Sequence, residues 1–198
     1  MLLSGYNKNL IEAGCDEAGR GCIAGPVFAA AVILPPGFSH PELNDSKQLS
    51  RRVREELREI IEQEAVAYAV TRIDAPEIDE INILNASIKA MHLAVNNLII
   101  KPDFLLIDGN RFKPYKDIPH KCFVKGDGRF LPIAAASVLA KTHRDEFMIK
   151  ADETYPQYNW KNNKGYPTLQ HKMAIQEYGL TPLHRRSFNY NLQLKISF

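Results

Sequence analysis

The 198-residue chain has three cysteines, one tryptophan and no long apolar run. Cys15, Cys22 and Cys122 are odd in number and lack metal-ligand spacing, so they read as small buried hydrophobes rather than redox groups. No apolar stretch approaches the ~20 residues of a membrane span, and the N-terminus lacks a basic-then-apolar signal pattern. A soluble, reduced, cytoplasmic protein is expected. Internal repeats and low-complexity tracts are also missing, which leaves one domain with an ordinary core.

Charge of one sign is scarce overall, with a formal net of +2, but it is unevenly placed. Residues 1–153 carry 19 Lys+Arg against 22 Asp+Glu, a net of −3. Residues 154–198 carry six cations against the single acid Glu177, a net of +5, and hold eight of the eighteen aromatic residues. An acidic body of 1–153 would suit cations, and a basic, aromatic extension over 154–198 of the same domain would suit polyanions. A solvated helical cap explains the tail's charge equally well.

Apolar patterning predicts strands over 11–15, 26–34, 66–73, 103–108 and 121–124. Helical spacing covers 49–64, with Ser50 as N-cap, then 76–81, 83–100, 132–151 and 169–178. The order β-β-α-β-α-α-β-β-α with a helical tail predicts an α/β fold: one sheet layered with helices. The first three strands can be antiparallel neighbours, and the strand after the long helix can join in parallel.

Three acidic positions follow apolar strands and precede glycine-bearing loops: Asp16-Glu17, Asp108-Gly109 and Asp127-Gly128. Strand ends meet at one edge of a sheet, so these acids can gather there. Any one of them alone reads as a turn residue or a helix cap; together they point to a metal site. Oxygen ligands without His or Cys suit Mg2+ or Mn2+. Two such ions about 3.5–4 Å apart can activate water and stabilise the leaving oxygen in phosphodiester cleavage. Gly19-Arg20-Gly21 adds a backbone open to close approach beside a guanidinium, which suits a phosphate or sugar hydroxyl.

The stretch Asp16-Glu-Ala-Gly-Arg-Gly-Cys-Ile-Ala-Gly-Pro-Val27 resembles the signature of the type 2 ribonucleases H, specifically ribonuclease HII. The likeness continues through Asn44-Asp-Ser-Lys-Gln-Leu49, Leu106-Ile-Asp-Gly-Asn110, Lys125-Gly-Asp127, Ala134–Lys141, Arg144-Asp145, Lys164-Gly-Tyr166 and Thr181–Phe188, in the family's order. It implies an RNase H-like fold, a five-stranded mixed sheet flanked by helices with a C-terminal helical extension. It implies four metal-binding catalytic acids, Asp16, Glu17, Asp108 and Asp127, with Mn2+ or Mg2+. The implied substrate is an RNA–DNA hybrid or ribonucleotide-containing duplex DNA, cut 5′ to the ribonucleotide to give 3′-hydroxyl and 5′-phosphate ends.

The resemblance also assigns substrate contacts. Gly19, Arg20 and Gly21 match the loop that reads the 2′-hydroxyl, and Tyr166 matches a tyrosine packing on the following sugar. Ser46, Lys47, Arg185, Arg186 and Ser187 match segments near backbone phosphates. Two positions depart from the family's pattern: Cys22 where Pro is usual, and His143, expected to be a solvated helix-face residue. Asp145 is expected to be structural. Ribonuclease HIII is disfavoured, since its extra N-terminal domain has no room before residue 16. The C-terminal Gln193-Leu-Lys-Ile-Ser-Phe198 resembles a sliding-clamp-binding motif, the alternative being a tail strand packing its apolar side. A monomer is expected.

Overall fold

In the computed structural model, residues 2–7, 9–43 and 49–190 are described. Five strands form one sheet: β1 (Glu12–Ala18), β2 (Val27–Ile33), β3 (Ala67–Ile73), β4 (Phe104–Asp108) and β5 (His120–Phe123). Their order is β3-β2-β1-β4-β5, with β1, β2 and β3 antiparallel and β1, β4 and β5 parallel. The helices are α1 (Arg51–Glu64), α2 (Ala75–Ile81), α3 (Ile83–Asn96), α4 (Leu131–Thr154), α5 (Trp160–Asn163) and α6 (Leu169–Tyr178). The mixed sheet and element order agree with the expectation from the sequence.

Alternation along the strands divides the core into two layers. Ala13 and Cys15 of β1, Val27, Ala29, Ala31 and Ile33 of β2, and Leu105 and Ile107 of β4 face α3, with Ala90, Met91 and Ala94. The intervening Ala30 and Val32 face α1 and α4, against Leu57, Ile61, Ala135 and Leu139. Small residues let α4 lie directly on the strands. At Gly14 a Cβ would fall 2.1 Å from the Pro132 carbonyl carbon, so β1 and α4 touch backbone to backbone there. Ser50 caps α1 as expected, its hydroxyl accepting from Val53 N at 3.3 Å; such a cap contributes about 1 kcal/mol.

Two expectations need revision. β1 runs on to Ala18 rather than stopping at Cys15, so Asp16 and Glu17 lie within the strand. His143 is only partly exposed: it sits between α4 and α1, its Nε2 2.9 Å from Glu62 and its Nδ1 3.3 Å from Arg58. Burial and the Arg58 charge lower its pKa, opposed by Glu62. In the C-terminal extension Tyr158 and Trp160 are buried and stack at 5.1 Å in a small core with Met148 and Ala174, whereas Tyr166 and Tyr178 are exposed. No helix among the described residues is long and apolar enough to cross a membrane.

Candidate active site

Strand geometry brings Asp16, Glu17 and Asp108 to one sheet edge. Since Cys15 and Ile107 face α3, the neighbouring Asp16 and Asp108 point to the α4 side. Asp16 is 5% exposed and takes hydrogen bonds from Glu17 N at 2.7 Å and from Ser137 of α4. Burial, then the Glu17 and Asp108 carboxylates, push its pKa well above the ordinary carboxylate range. Glu17 pairs with Arg20 at 3.0 Å. Asp108 Oδ1 accepts from Gly126 N at 2.7 Å, which ties β4 to the short helical turn carrying Asp127. Asp127 is buried, and its Oδ1 accepts from Gly128 N at 3.0 Å.

Asp16, Glu17 and Asp108 share a cleft of about 270 Å³, while Asp127 lies beside it, outside its lining. Each acid is turned to a local donor, and among the described residues no three His, Cys, Asp or Glu side chains close around a single point. The donor set nevertheless fits a hard divalent cation. It is all oxygen, and Asp16 carries an unfavourable charge that a cation would relieve.

The other wall of the cleft is formed by Gly19, Arg20, Gly21, Lys141, Arg144 and Tyr166. Gly19 has φ +99°, and a Cβ there would lie 2.0 Å from Arg144 Nε, so only glycine fits. Arg144 is 1% exposed. Its guanidinium donates to Pro26 O at 3.1 Å, Ala24 O at 3.1 Å and Lys164 O at 2.9 Å, joining the loop after β1 to the loop carrying Tyr166. Cys22, where the resemblance expects proline, is buried beside Tyr166. Burial raises both pKa values.

The remaining candidates are dispersed. Tyr166 is 45% exposed on the cleft. Arg185 is fully buried, donating to Gly25 O at 2.9 Å and Arg20 O at 3.2 Å, so it supports the loop from below. Arg186 is exposed. Ser187 Oγ donates to Asp79 at 2.6 Å, and the Arg186 and Ser187 amides bind the same carboxylate. Ser46 and Lys47 lie outside the described residues, as do Gln193–Phe198. Sequence reasoning assigns no role to Ser137, Lys141 or Arg144, although each falls in a stretch that resembles the family. A larger cleft of about 650 Å³ between α1 and α4 is lined by Arg54, Arg58, Glu62, Glu146 and other charged residues. It contains none of the candidate catalytic acids.

A mixed sheet with acids at the ends of its central strands defines an RNase H-like nuclease. A crystal structure of ribonuclease H2 from Pyrococcus horikoshii OT3 matches with a TM-score of 0.78 at 27% identity, covering 90% of this chain and 94% of that one. RNase HII of Archaeoglobus fulgidus, solved in complex with PCNA, matches at 0.76 and 23% identity, covering 91% and 96%. Bst-RNase HIII in complex with Mn2+ matches at 0.68 and 18% identity, covering 90% and 67%. The family model for ribonuclease HII matches residues 13–191. Ribonuclease HII of Phocaeicola vulgatus is 61% identical over 201 residues, covering 100% of both chains. This chain belongs to the ribonuclease HII family, and is therefore a ribonuclease H that cleaves RNA within RNA–DNA hybrids.

Proposed function

We propose that the chain also cuts 5′ to single ribonucleotides embedded in duplex DNA, leaving 3′-hydroxyl and 5′-phosphate ends. One observation carries this reading: the acids Asp16, Glu17 and Asp108 line the same cleft as Gly19, Arg20, Gly21 and Tyr166. Cutting and ribose recognition would thus be adjacent. Asp16, Glu17, Asp108 and Asp127 would hold Mn2+ or Mg2+, which accept the same oxygen ligands. Two bound ions would supply an activated water and charge stabilisation at the leaving 3′ oxygen.

The chain's own residues do the positioning. Ser137 holds the Asp16 carboxylate, and the Gly126 amide holds Asp108. The Gly19–Gly21 backbone can approach a 2′-hydroxyl, the group that separates RNA from DNA. Arg20, half-exposed, swings between Glu17 and a substrate phosphate. Tyr166 offers its ring to the next sugar. Arg186, Ser46 and Lys47 meet backbone phosphates, whereas Arg185 and Ser187 act through the backbone they anchor. Residues 154–198 serve as an extension of the same domain, since the Tyr166 loop is bonded to the loop after β1. The final Gln193–Phe198 would bind a sliding clamp, a reading supported by its motif and by the PCNA complex of the Archaeoglobus fulgidus protein.

The test is a labelled duplex with one embedded ribonucleotide, incubated with Mg2+ or Mn2+. The parent protein should nick it 5′ to the ribonucleotide, and Asp108→Asn should leave it whole. An uncut duplex with both metals, from a protein that cleaves long hybrids, would overturn the single-ribonucleotide reading.

A further inference from the structure

Tyr166 lies between α5 and α6, and its backbone is held on both sides. Its amide donates to Asn163 O at 2.9 Å. Its carbonyl accepts from Thr168 N at 2.8 Å and lies 2.9 Å from Nδ1 of His171, a residue of α6 with no solvent exposure. The proton positions on the two buried histidines follow from their neighbours. An indole nitrogen can only donate, and Trp160 Nε1 lies 2.9 Å from His171 Nε2. His171 Nε2 is therefore an acceptor, and the imidazole proton is on Nδ1, aimed at the Tyr166 carbonyl.

The second histidine agrees. Thr181 N donates to His184 Nδ1 at 2.9 Å, so His184 carries its proton on Nε2, which lies 3.2 Å from His171 Nε2. Two donors thus converge on one acceptor, and that acceptor's ring sends a single donor outward to the Tyr166 loop. The Trp160 indole, the neutral His184 ring and the Tyr166 carbonyl bring no charge to His171, and burial lowers its pKa, which favours this neutral form.

We propose that His171 is a positioning residue that sets Tyr166 against the substrate sugar, through an Nδ1–H bond whose tautomer is fixed by Trp160 and His184. The proposal rests on the reading of Tyr166 as a substrate contact. The plainer alternative is that His171 only completes the small core of Tyr158 and Trp160.

Two substitutions separate these roles, because each keeps a different half of the imidazole. In His171→Asn the amide nitrogen can occupy the Nδ1 place and still donate to Tyr166, but Trp160 Nε1 and His184 Nε2 lose their acceptor. In His171→Gln the amide oxygen can reach the Nε2 place and accept from both, but the donor to Tyr166 is lost. Positioning predicts opposite orders. His171→Gln should raise KM for the single-ribonucleotide duplex about fivefold, the equivalent of about 1 kcal/mol, with kcat nearly unchanged. His171→Asn should keep KM near the parent value while melting at the lower temperature. A core-only role predicts that the KM defect follows the stability loss, with His171→Asn the worse; that ordering would overturn the proposal.

Tyr166→Ala in the same assay distinguishes the two levels of the argument. If it raises KM and His171→Gln does not, the positioning role fails and the Tyr166 reading stands. If Tyr166→Ala leaves KM unchanged, both fall. Nitrogen-15 spectra of the full chain add a readout independent of activity. They should show His171 protonated on Nδ1 and His184 on Nε2, and the reverse tautomer at His171 would refute the proposal.

Discussion

Arg144→Met tests how the substrate loop is held. The parent guanidinium makes three hydrogen bonds to the carbonyls of Ala24, Pro26 and Lys164. Hydrogen bonds from a charged donor contribute about 1.5–3 kcal/mol each, so about 6 kcal/mol is lost with them. Methionine fills much of the same volume and removes a buried charge, whose desolvation costs several kcal/mol. Taking that return as about 3 kcal/mol, the net destabilisation is about 3 kcal/mol. At about 2–4 °C per kcal/mol for a domain of this size, Tm should fall by about 6–12 °C. Urea denaturation of parent and variant, with the slope checked for constancy, measures the free energy directly. Arg144→Lys should recover little, because one ammonium cannot reproduce a planar fork directed at three carbonyls. A loss below about 1 kcal/mol in Arg144→Met would show that the network contributes no net stability and refute the reasoning.

Gly19→Ala should lower kcat/KM on the single-ribonucleotide duplex at least tenfold, roughly 1.4 kcal/mol, since its Cβ would fall 2.0 Å from Arg144 Nε at φ +99°; parent-like activity would contradict the close packing. His184 has a pKa pushed down to about 4 from 6.5, by burial and then by His171. Between those values the unfolded chain binds more protons than the native one, so stability should fall as pH drops through that window. His184→Gln should flatten that slope in urea titrations at several pH values, and an unchanged slope would assign it to other groups. A chain ending at Asn191 should lose capture by an immobilised sliding clamp that the full chain shows; equal capture of both would exclude the C-terminal motif.

The acids are legible in the sequence because strand-terminal carboxylates before glycine leave a local pattern. Asp16, Glu17 and Asp108 reach one cleft as that pattern implies, while Asp127 is joined to Asp108 through the Gly126 amide. The end of β1 is harder to read, because Asp16 and Glu17 are poor strand formers by composition. They are held in the sheet by pairing opposite Ala30 and Ala29 of β2. Arg144 and Arg185 are illegible for a different reason. A lone sequence places arginine outside, and the carbonyls that accept from these two lie up to 165 positions away. His143 misleads similarly, since its partners Glu62 and Arg58 come from α1 across the helix interface.

The buried arginines answer a difficulty that the acids create. Asp16, Glu17 and Asp108 give the cleft a negative wall, and burial weakens the screening that water would provide. A polyanionic duplex approaching that wall is repelled unless positive charge stands near. Arg20 and Lys141 are paired with Glu17 at 3.0 Å and Asp145 at 2.6 Å, so before a phosphate draws Arg20 away much of their charge is offset. Arg144 and Arg185 donate instead to neutral carbonyls, so their charge is spread over the loop without being cancelled by a carboxylate at those contacts. Cation coordination and phosphate approach need opposite potentials a few ångströms apart. On the proposed reading, the strand ends would supply one and the arginines beneath the loop that follows β1 the other. Gly19 is glycine because the loop lies flat on the Arg144 guanidinium, where a Cβ would fall 2.0 Å from Arg144 Nε.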